Sequence, residues 1–305
     1  MHLGSIILLH VLPGFLLLII AEAFFRVKEH RQSKLDLLSS IAIGLGAIPA
    51  AFIVNGLIIY TYTIIYQYRI FTIPSHYWWA WICCFLADDL SFYWFHRLSH
   101  TVRFLWASHM VHHSSESFTL STAVRVPWTS NITGAFLFWA WMPLIGIEPG
   151  MLILMKSLSV IYQFCMHTET ISKLPRWYEA VFNTPSHHRV HHGSDIDYLD
   201  KNLGGYLIIW DKMFGTFQGE NHKPKYGLTK NIKSFNPFVI AFHEWKNLFD
   251  DFKKTKSFKH RCRYFFKCPG WSHDGSTKTT KQLRLENKAD DSLISIIKPG
   301  LLTKN

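Results

Sequence analysis

The sequence predicts an all-α fold: a multi-pass integral membrane helical bundle carrying a histidine-rich helical cap on its cytoplasmic side. Windows free of Asp, Glu, Lys and Arg cover residues 3–21, 37–68, 70–87 and 126–147, and a hydrocarbon core takes about 20 apolar residues to cross as a helix. Ten of the 18 histidines fall between His96 and His192, most of them in one repeated spacing. The chain of 305 residues is also 49% hydrophobic and 16% aromatic, yet its formal net charge is +11, so apolar and basic residues are segregated along it.

Residues 3–21 form the first expected span. Arg26, Lys28, Arg31 and Lys34 follow it, whereas a cleaved signal peptide carries its positive charge ahead of the apolar run. The span is therefore read as retained, with its end cytoplasmic by the positive-inside rule. Residues 37–68, with Gly44, Gly46 and Pro49 inside, cross outward as a tilted or kinked helix. Residues 76–95 return, bringing His96 and His100 out at the cytoplasmic end. Residues 126–147 are expected to cross outward again, Pro149 and Gly150 turn the chain, and residues 151–166 come back. Because that last stretch is short and carries Lys156, the pair can also be a partly inserted hairpin. Either path leaves His167 on the face that carries the other clusters.

The chemistry lies in the spacing. His96-Arg-Leu-Ser-His100 is an i, i+4 pair, and His109-Met-Val-His112-His113 and His188-Arg-Val-His191-His192 are i, i+3, i+4 triplets. On a helix such positions share a face about 5–6 Å apart at Cβ, and neutral imidazole is the commonest metal ligand near pH 7. Three such clusters exceed the needs of one structural zinc site. Two ions close together suit hydrolysis or dioxygen activation; the absence of carboxylates inside the clusters favours dioxygen, and membrane burial favours a lipid substrate. Imidazole alone does not choose among zinc, iron, copper and nickel. The expected ligands are His96, His100, His109, His112, His113, His167, His188, His191 and His192. His187 points about 100° away from His188 and is left out.

Several neighbours are candidates for supporting roles. Asp88 and Asp89 sit in an apolar context, and Asp89, two turns before His96, is expected to orient a ligating histidine through its second ring nitrogen. Gln163, one turn before His167, is a candidate weak ligand or hydrogen-bonding group, and Glu169 a candidate carboxylate or proton relay. The five cysteines show no paired ligand spacing, which argues against a disulfide framework or a thiolate–metal site. From a different class, a membrane metal transporter or sensor would distribute its histidines through the spans, and a bis-histidine haem protein would place them on facing spans. Here they cluster at span ends.

These residues resemble the fatty acid hydroxylase and sterol desaturase superfamily of integral-membrane di-iron enzymes. The resemblance runs from Asp89-Leu-Ser-Phe-Tyr-Trp-Phe-His96 through His100, His109–His113 and Ser186–His192, then into Asp200-Lys-Asn202-Leu-Gly-Gly-Tyr206 and Trp210-Asp-Lys-Met-Phe-Gly-Thr-Phe217. It covers roughly residues 80–220. It implies two iron ions, dioxygen, an electron donor and a lipid substrate whose C–H bond is hydroxylated or desaturated, and it adds Asn202 as a supporting residue. Within the superfamily, Asn183–Gly193 and Tyr162–Glu169 look most like the ether-lipid branch, which hydroxylates the carbon beside the ether oxygen of alkylglycerols with tetrahydrobiopterin. Gln163 stands where the fatty acid hydroxylases carry a histidine. A sterol desaturase or fatty acid hydroxylase is the alternative within the superfamily.

The implied organisation is an amino-terminal transmembrane region (1–75), a di-iron catalytic domain with transmembrane segments (76–235), an amphipathic basic cytoplasmic segment (236–271) and a polar, disordered tail (272–305). In the third segment Phe238, Phe242, Trp245 and Phe249 recur at helical spacing, and a run of Lys and Arg follows from Lys253 to Lys267. That segment is read as a solvated helix packed on the catalytic domain or one lying on the membrane. Its charge suits anionic headgroups; nucleic acid is not an expected partner of a multi-pass protein. The membrane would be the endoplasmic reticulum in a eukaryote or the inner membrane in a bacterium.

Overall fold

The structure is a computed structural model and describes residues 3–27 and 34–297. Lys28 and Arg31 of the first basic cluster lie outside the described residues. The elements in order are α1 (Leu3–Val27), α2 (Lys34–Gln67), α3 (Trp78–Thr101), α4 (Arg103–His113), α5 (Leu120–Ala123), a 3-10 turn (Ala135–Trp139) and α6 (Trp141–Ile145). They continue with α7 (Pro149–Met166), α8 (Arg176–Glu179), α9 (Pro185–His191), α10 (Ile209–Phe214), α11 (Pro237–Lys253), α12 (Phe258–Phe266) and α13 (Thr280–Ile297). Among the described residues the only β pairing is two isolated bridges, Phe182 with Leu207 and Gly193 with Tyr226.

Two of these helices, α2 over Lys34–Ala51 and α7 over Pro149–Met166, are long and apolar enough to cross a membrane; α1 carries a shorter apolar stretch, His10–Phe25. Large apolar side chains stay exposed along α1, α2 and α3, among them Leu17, Phe25, Leu45, Leu57 and Trp78. A belt of that extent on a water-facing surface would be unfavourable, and it is what a lipid-facing surface presents.

Residues 126–147 are not one helix. Pro127 and Pro143 each lack a backbone donor, and Gly134 and Gly146 adopt left-handed backbone at φ +80° and +111°. The segment therefore breaks into turns, the 3-10 turn and α6. Its carbonyls receive the preceding connection instead: Ile70 N–H donates to Leu144 O at 2.8 Å and Ile73 N–H to Gly146 O at 3.1 Å. The tail also departs from expectation, because α13 forms within 272–305. Its first turns are held by Arg284, whose Nε donates to Ile196 O at 3.2 Å and whose Nη2 donates to Leu199 O.

Packing then brings the span ends together. Tyr62, Ala80, Cys84, Trp139, Met142 and Leu152 join α2, α3, α6 and α7 in the main apolar core. Phe15 of α1 stacks on Phe164 of α7 at 3.8 Å between centroids. Ile43, Val111 and Ile240 join α2, α4 and α11. Buried Glu22 of α1 accepts from Leu120 N and Thr168 Oγ1, both at 2.6 Å, which moors α1 to the segment just past His167. Buried Arg125 donates to Asp36 Oδ1 at 2.6 Å, Ser39 Oγ at 2.9 Å, Ser40 Oγ at 2.8 Å and Ser114 Oγ at 2.8 Å. It thereby ties the start of α2 to the end of α4.

Removing one partner of a buried ion pair strands the other charge, at a cost of about 3–5 kcal/mol. Arg125→Leu should accordingly lower the thermal unfolding midpoint of the detergent-purified protein far more than the exposed substitution Lys246→Leu; equal midpoints for the two variants would refute the role given to Arg125.

Candidate metal centre

A single sharp corner builds the first half of the site. Val102, in extended backbone at φ −118°, ends α3 and begins α4 with no intervening loop. The corner folds His96 and His100 back onto His109 and His113, with ring centroids 4.8 Å apart for His96–His109 and 4.8 Å for His100–His113. His167 caps α7, and α9 starts at Pro185, which needs no amide partner at that position.

The nine expected ligands fall into two groups: His96, His100, His109, His113 and His191 in one, and His112, His167, His188 and His192 in the other, each with its ligand atoms within 4.8 Å of one another. Helical pitch makes the division. At 100° per residue, the i and i+4 members of a triplet look one way and the i+3 member another. So α4 gives His109 and His113 to the first group and His112 to the second, whereas α9 gives His188 and His192 to the second and His191 to the first. His187 belongs to neither; its Nδ1 lies 3.3 Å from Thr184 Oγ1 and its ring faces Phe217.

Protonation is fixed from behind. His96 Nδ1 donates to Leu203 O at 2.9 Å, His191 Nδ1 to Lys201 O at 2.9 Å, and His100 Nδ1 lies 3.3 Å from Asp200 Oδ1. One strap, residues 200–203, thus orients three of the five rings. In the second group His167 Nδ1 donates to Gln163 O at 2.7 Å. A carbonyl can only accept, so the proton sits on Nδ1 and the Nε2 lone pair faces the centre. Burial, and next the neighbouring imidazoles, hold His109, His112, His113, His188, His191 and His192 well below the ordinary histidine pKa. Their rings are neutral near pH 7.

This donor set fits metal ions. Nε2 atoms of His100, His191 and His192 are buried without any hydrogen-bond partner, a costly state for a polar atom. Facing Nε2 pairs stand 3.0 Å apart for His96–His109, 3.1 Å for His109–His113, 3.1 Å for His112–His167 and 2.9 Å for His167–His188. Two nitrogens each about 2.1 Å from an ion and at right angles to one another stand about 3.0 Å apart.

The strap has its own supports. Asp89, expected to reach a histidine, instead accepts from Tyr206 N–H at 2.6 Å, Leu207 N–H at 3.0 Å and Trp210 Nε1–H at 2.9 Å. Two helical turns are about 11 Å, too far for its carboxylate to touch the His96 ring, so it acts through the loop that carries Leu203 O. Asp211 accepts from Leu203 N–H at 2.7 Å and Gly204 N–H at 2.8 Å. Asn202, in left-handed backbone at φ 54°, donates to His187 O at 3.1 Å and Gln218 O at 2.7 Å. The Gln163 amide donates to Ser159 Oγ at 2.9 Å, and Glu169 accepts from Tyr226 OH at 3.0 Å; neither joins a histidine group.

Sequence reasoning missed Asp200 and Asp211 as supports, and Phe118, which is buried and whose ring lies 5.1 Å from that of His192 and 5.6 Å from that of His167. A cavity of about 350 Å³, lined by His100, Trp106, His113, His191 and Asp200 among others, opens onto the five-histidine group.

Residues 81–216 match the family model described as fatty acid hydroxylase. The chain carries a fatty acid hydroxylase domain. All nine histidines and the strap lie inside it. Alkylglycerol monooxygenase of Homo sapiens is 41% identical over 238 residues, 77% of this chain and 53% of that protein. The proteins of the same name from Xenopus tropicalis (37% over 237 residues, 77% and 52%) and Danio rerio (41% over 194 residues, 64% and 43%) are similar as well. The chain spans about half the length of the curated relatives it matches. No solved structure matches it.

Loss of a group behind a ligating histidine typically costs about 10–100-fold in metal affinity. Asp200→Asn should therefore weaken metal retention by about that factor during chelator titration, with His191→Ala removing metal from one group only. Metal analysis that finds the same content and chelator resistance in wild type and both variants would defeat this assignment.

Proposed function

We propose that this chain is a membrane-embedded non-haem di-iron monooxygenase, and that its substrate is an alkylglycerol hydroxylated at the carbon beside the ether oxygen. The observation that carries the reading is the pair of all-imidazole groups sharing two helices inside a fatty acid hydroxylase domain. The substrate comes from the likeness to proteins named alkylglycerol monooxygenase over most of this chain. We further assign a multi-pass topology with the histidine groups at the cytoplasmic face, in the endoplasmic reticulum of a eukaryotic cell or the inner membrane of a bacterial one.

In this reading His96, His100, His109, His113 and His191 hold one iron ion, and His112, His167, His188 and His192 the other. Iron bound there would supply the reduction of dioxygen and the oxidation of the C–H bond beside the ether oxygen, one oxygen atom going to the carbon and the other to water with two electrons and two protons delivered by an external reductant. The protein contributes position and environment. Residues 200–203 keep three ring nitrogens aimed inward, and burial keeps eight of the nine histidines of the two groups unprotonated by lowering their pKa values. Phe118 and Phe92 wall the groups with apolar rings, Phe92 lying 5.2 Å from the ring of His96, which limits water near a reactive centre. The cavity beside His100 and Trp106 gives a water-soluble reductant an approach to the five-histidine group. Tetrahydrobiopterin is the candidate reductant.

Cells producing the chain should convert an added alkylglycerol to products of ether cleavage, because the hydroxylated carbon is a hemiacetal and collapses to aldehyde and glycerol derivative. His112→Ala and His191→Ala should each abolish this while the protein stays in the membrane fraction. Unchanged ether lipids together with altered sterols or hydroxy-acyl chains, measured by lipidomics, would move the substrate to another branch.

A further inference from the structure

We infer that α11 and α12 form a docking surface for the anionic headgroups of the same bilayer that α2 crosses. The inference rests on the membrane reading above and extends it to residues outside the fatty acid hydroxylase domain. Helix α11 has one partnered face: Ile240, Ala241 and Leu248 are buried, and Glu244 and Asp251 pair with Arg103 of α4 at 2.8 and 2.7 Å. Phe238, Phe242 and Phe249 lie on another side of the same helix, within about 40° of one another at 100° per residue, and they are exposed, Phe238 by 67%. Helix α12 repeats the arrangement with Phe258 exposed by 80% and Phe266 by 69%. The two stripes adjoin where Phe249 and Phe252 contact Phe265. Amphipathic helices with Phe on one side and Lys and Arg beside it lie in the headgroup region with their apolar face in the acyl boundary.

Two further observations choose lipid as the occupant. The stripe continues the exposed apolar belt of α2: Phe238 and Phe242 pack on Trp128 at 5.1 and 6.2 Å, and the Trp128 indole donates to Ile43 O of α2 at 2.8 Å. Helix α2, at 34 residues, is about 51 Å long, against a hydrocarbon core of about 30 Å. Its first turns can therefore stand at headgroup level, where α11 meets them. The charge is also suited, since residues 246–267 hold eight Lys and Arg against two Asp, and basic segments beside a membrane are attracted to anionic lipid.

The test uses the full chain in nanodiscs of phosphatidylcholine with phosphatidylserine, carrying photoreactive p-benzoylphenylalanine in place of Phe242, Phe258 or, as a control on α2, Leu57. Mass spectrometry should find phospholipid adducts at all three positions. At Phe258 the phosphatidylserine adduct should exceed its mole fraction several-fold, and the combined Lys253→Gln, Lys254→Gln, Lys256→Gln and Lys259→Gln variant should return it to that fraction. Adducts at Leu57 but none at Phe242 and Phe258, or adducts there to a second copy of the chain, would overturn this inference and leave the membrane reading standing. No phosphatidylserine enrichment would overturn it equally. Loss of lipid adducts at Leu57 as well would overturn both.

Discussion

The structure depends on crowding nine imidazoles together while keeping their rings aimed inward. Protonated rings at these distances would repel, and unprotonated lone pairs facing each other repel as well unless a cation lies between them. Burial answers the first problem, and the strap of residues 200–203 sets the orientation by accepting from Nδ1–H of His96 and of His191, with Asp200 Oδ1 lying 3.3 Å from Nδ1 of His100. Much of the polar interior exists to hold that strap: Asp89 from α3, Asp211 from α10 and Asn202 in its own left-handed turn. These buried carboxylates spend their hydrogen bonds on backbone amides rather than on metal.

The convergence of nine histidines was legible because helical spacing and imidazole chemistry leave few other readings for three such clusters. Its partition was not, since the pattern states which residues share a helix face but not how three helices and a helix end meet. Backbone carbonyls have no side-chain signature, so Lys201 and Leu203 could not be picked out as supports. Asp89 was recognised as unusual for a sound reason, burial of charge at membrane depth, but its partners come from residues 206–210, more than a hundred positions away. Only contact could assign them.

The apolar segments show the same division. The Pro149-Gly150 turn signal located α7, and counting uncharged residues located α1, α2 and the first turns of α3. It failed at residues 126–147, where hydropathy allows a span but Pro127, Gly134, Pro143 and Gly146 punctuate the backbone. It failed differently at the carboxy end: low apolar content suggested disorder, yet α13 gains order from Arg284 bonding to carbonyls of the catalytic domain, a tertiary effect that composition does not encode.

The exchange of histidines between the two groups by α4 and α9 has a mechanical meaning. Because each of these helices serves both groups, the spacing between the two histidine groups is written into the twist of an α-helix, a quantity that side-chain substitutions leave in place. Evolution could reshape the surrounding cavity and the exposed apolar surface around such a centre without disturbing it. A change in the separation of the two histidine groups would require refolding the helices themselves.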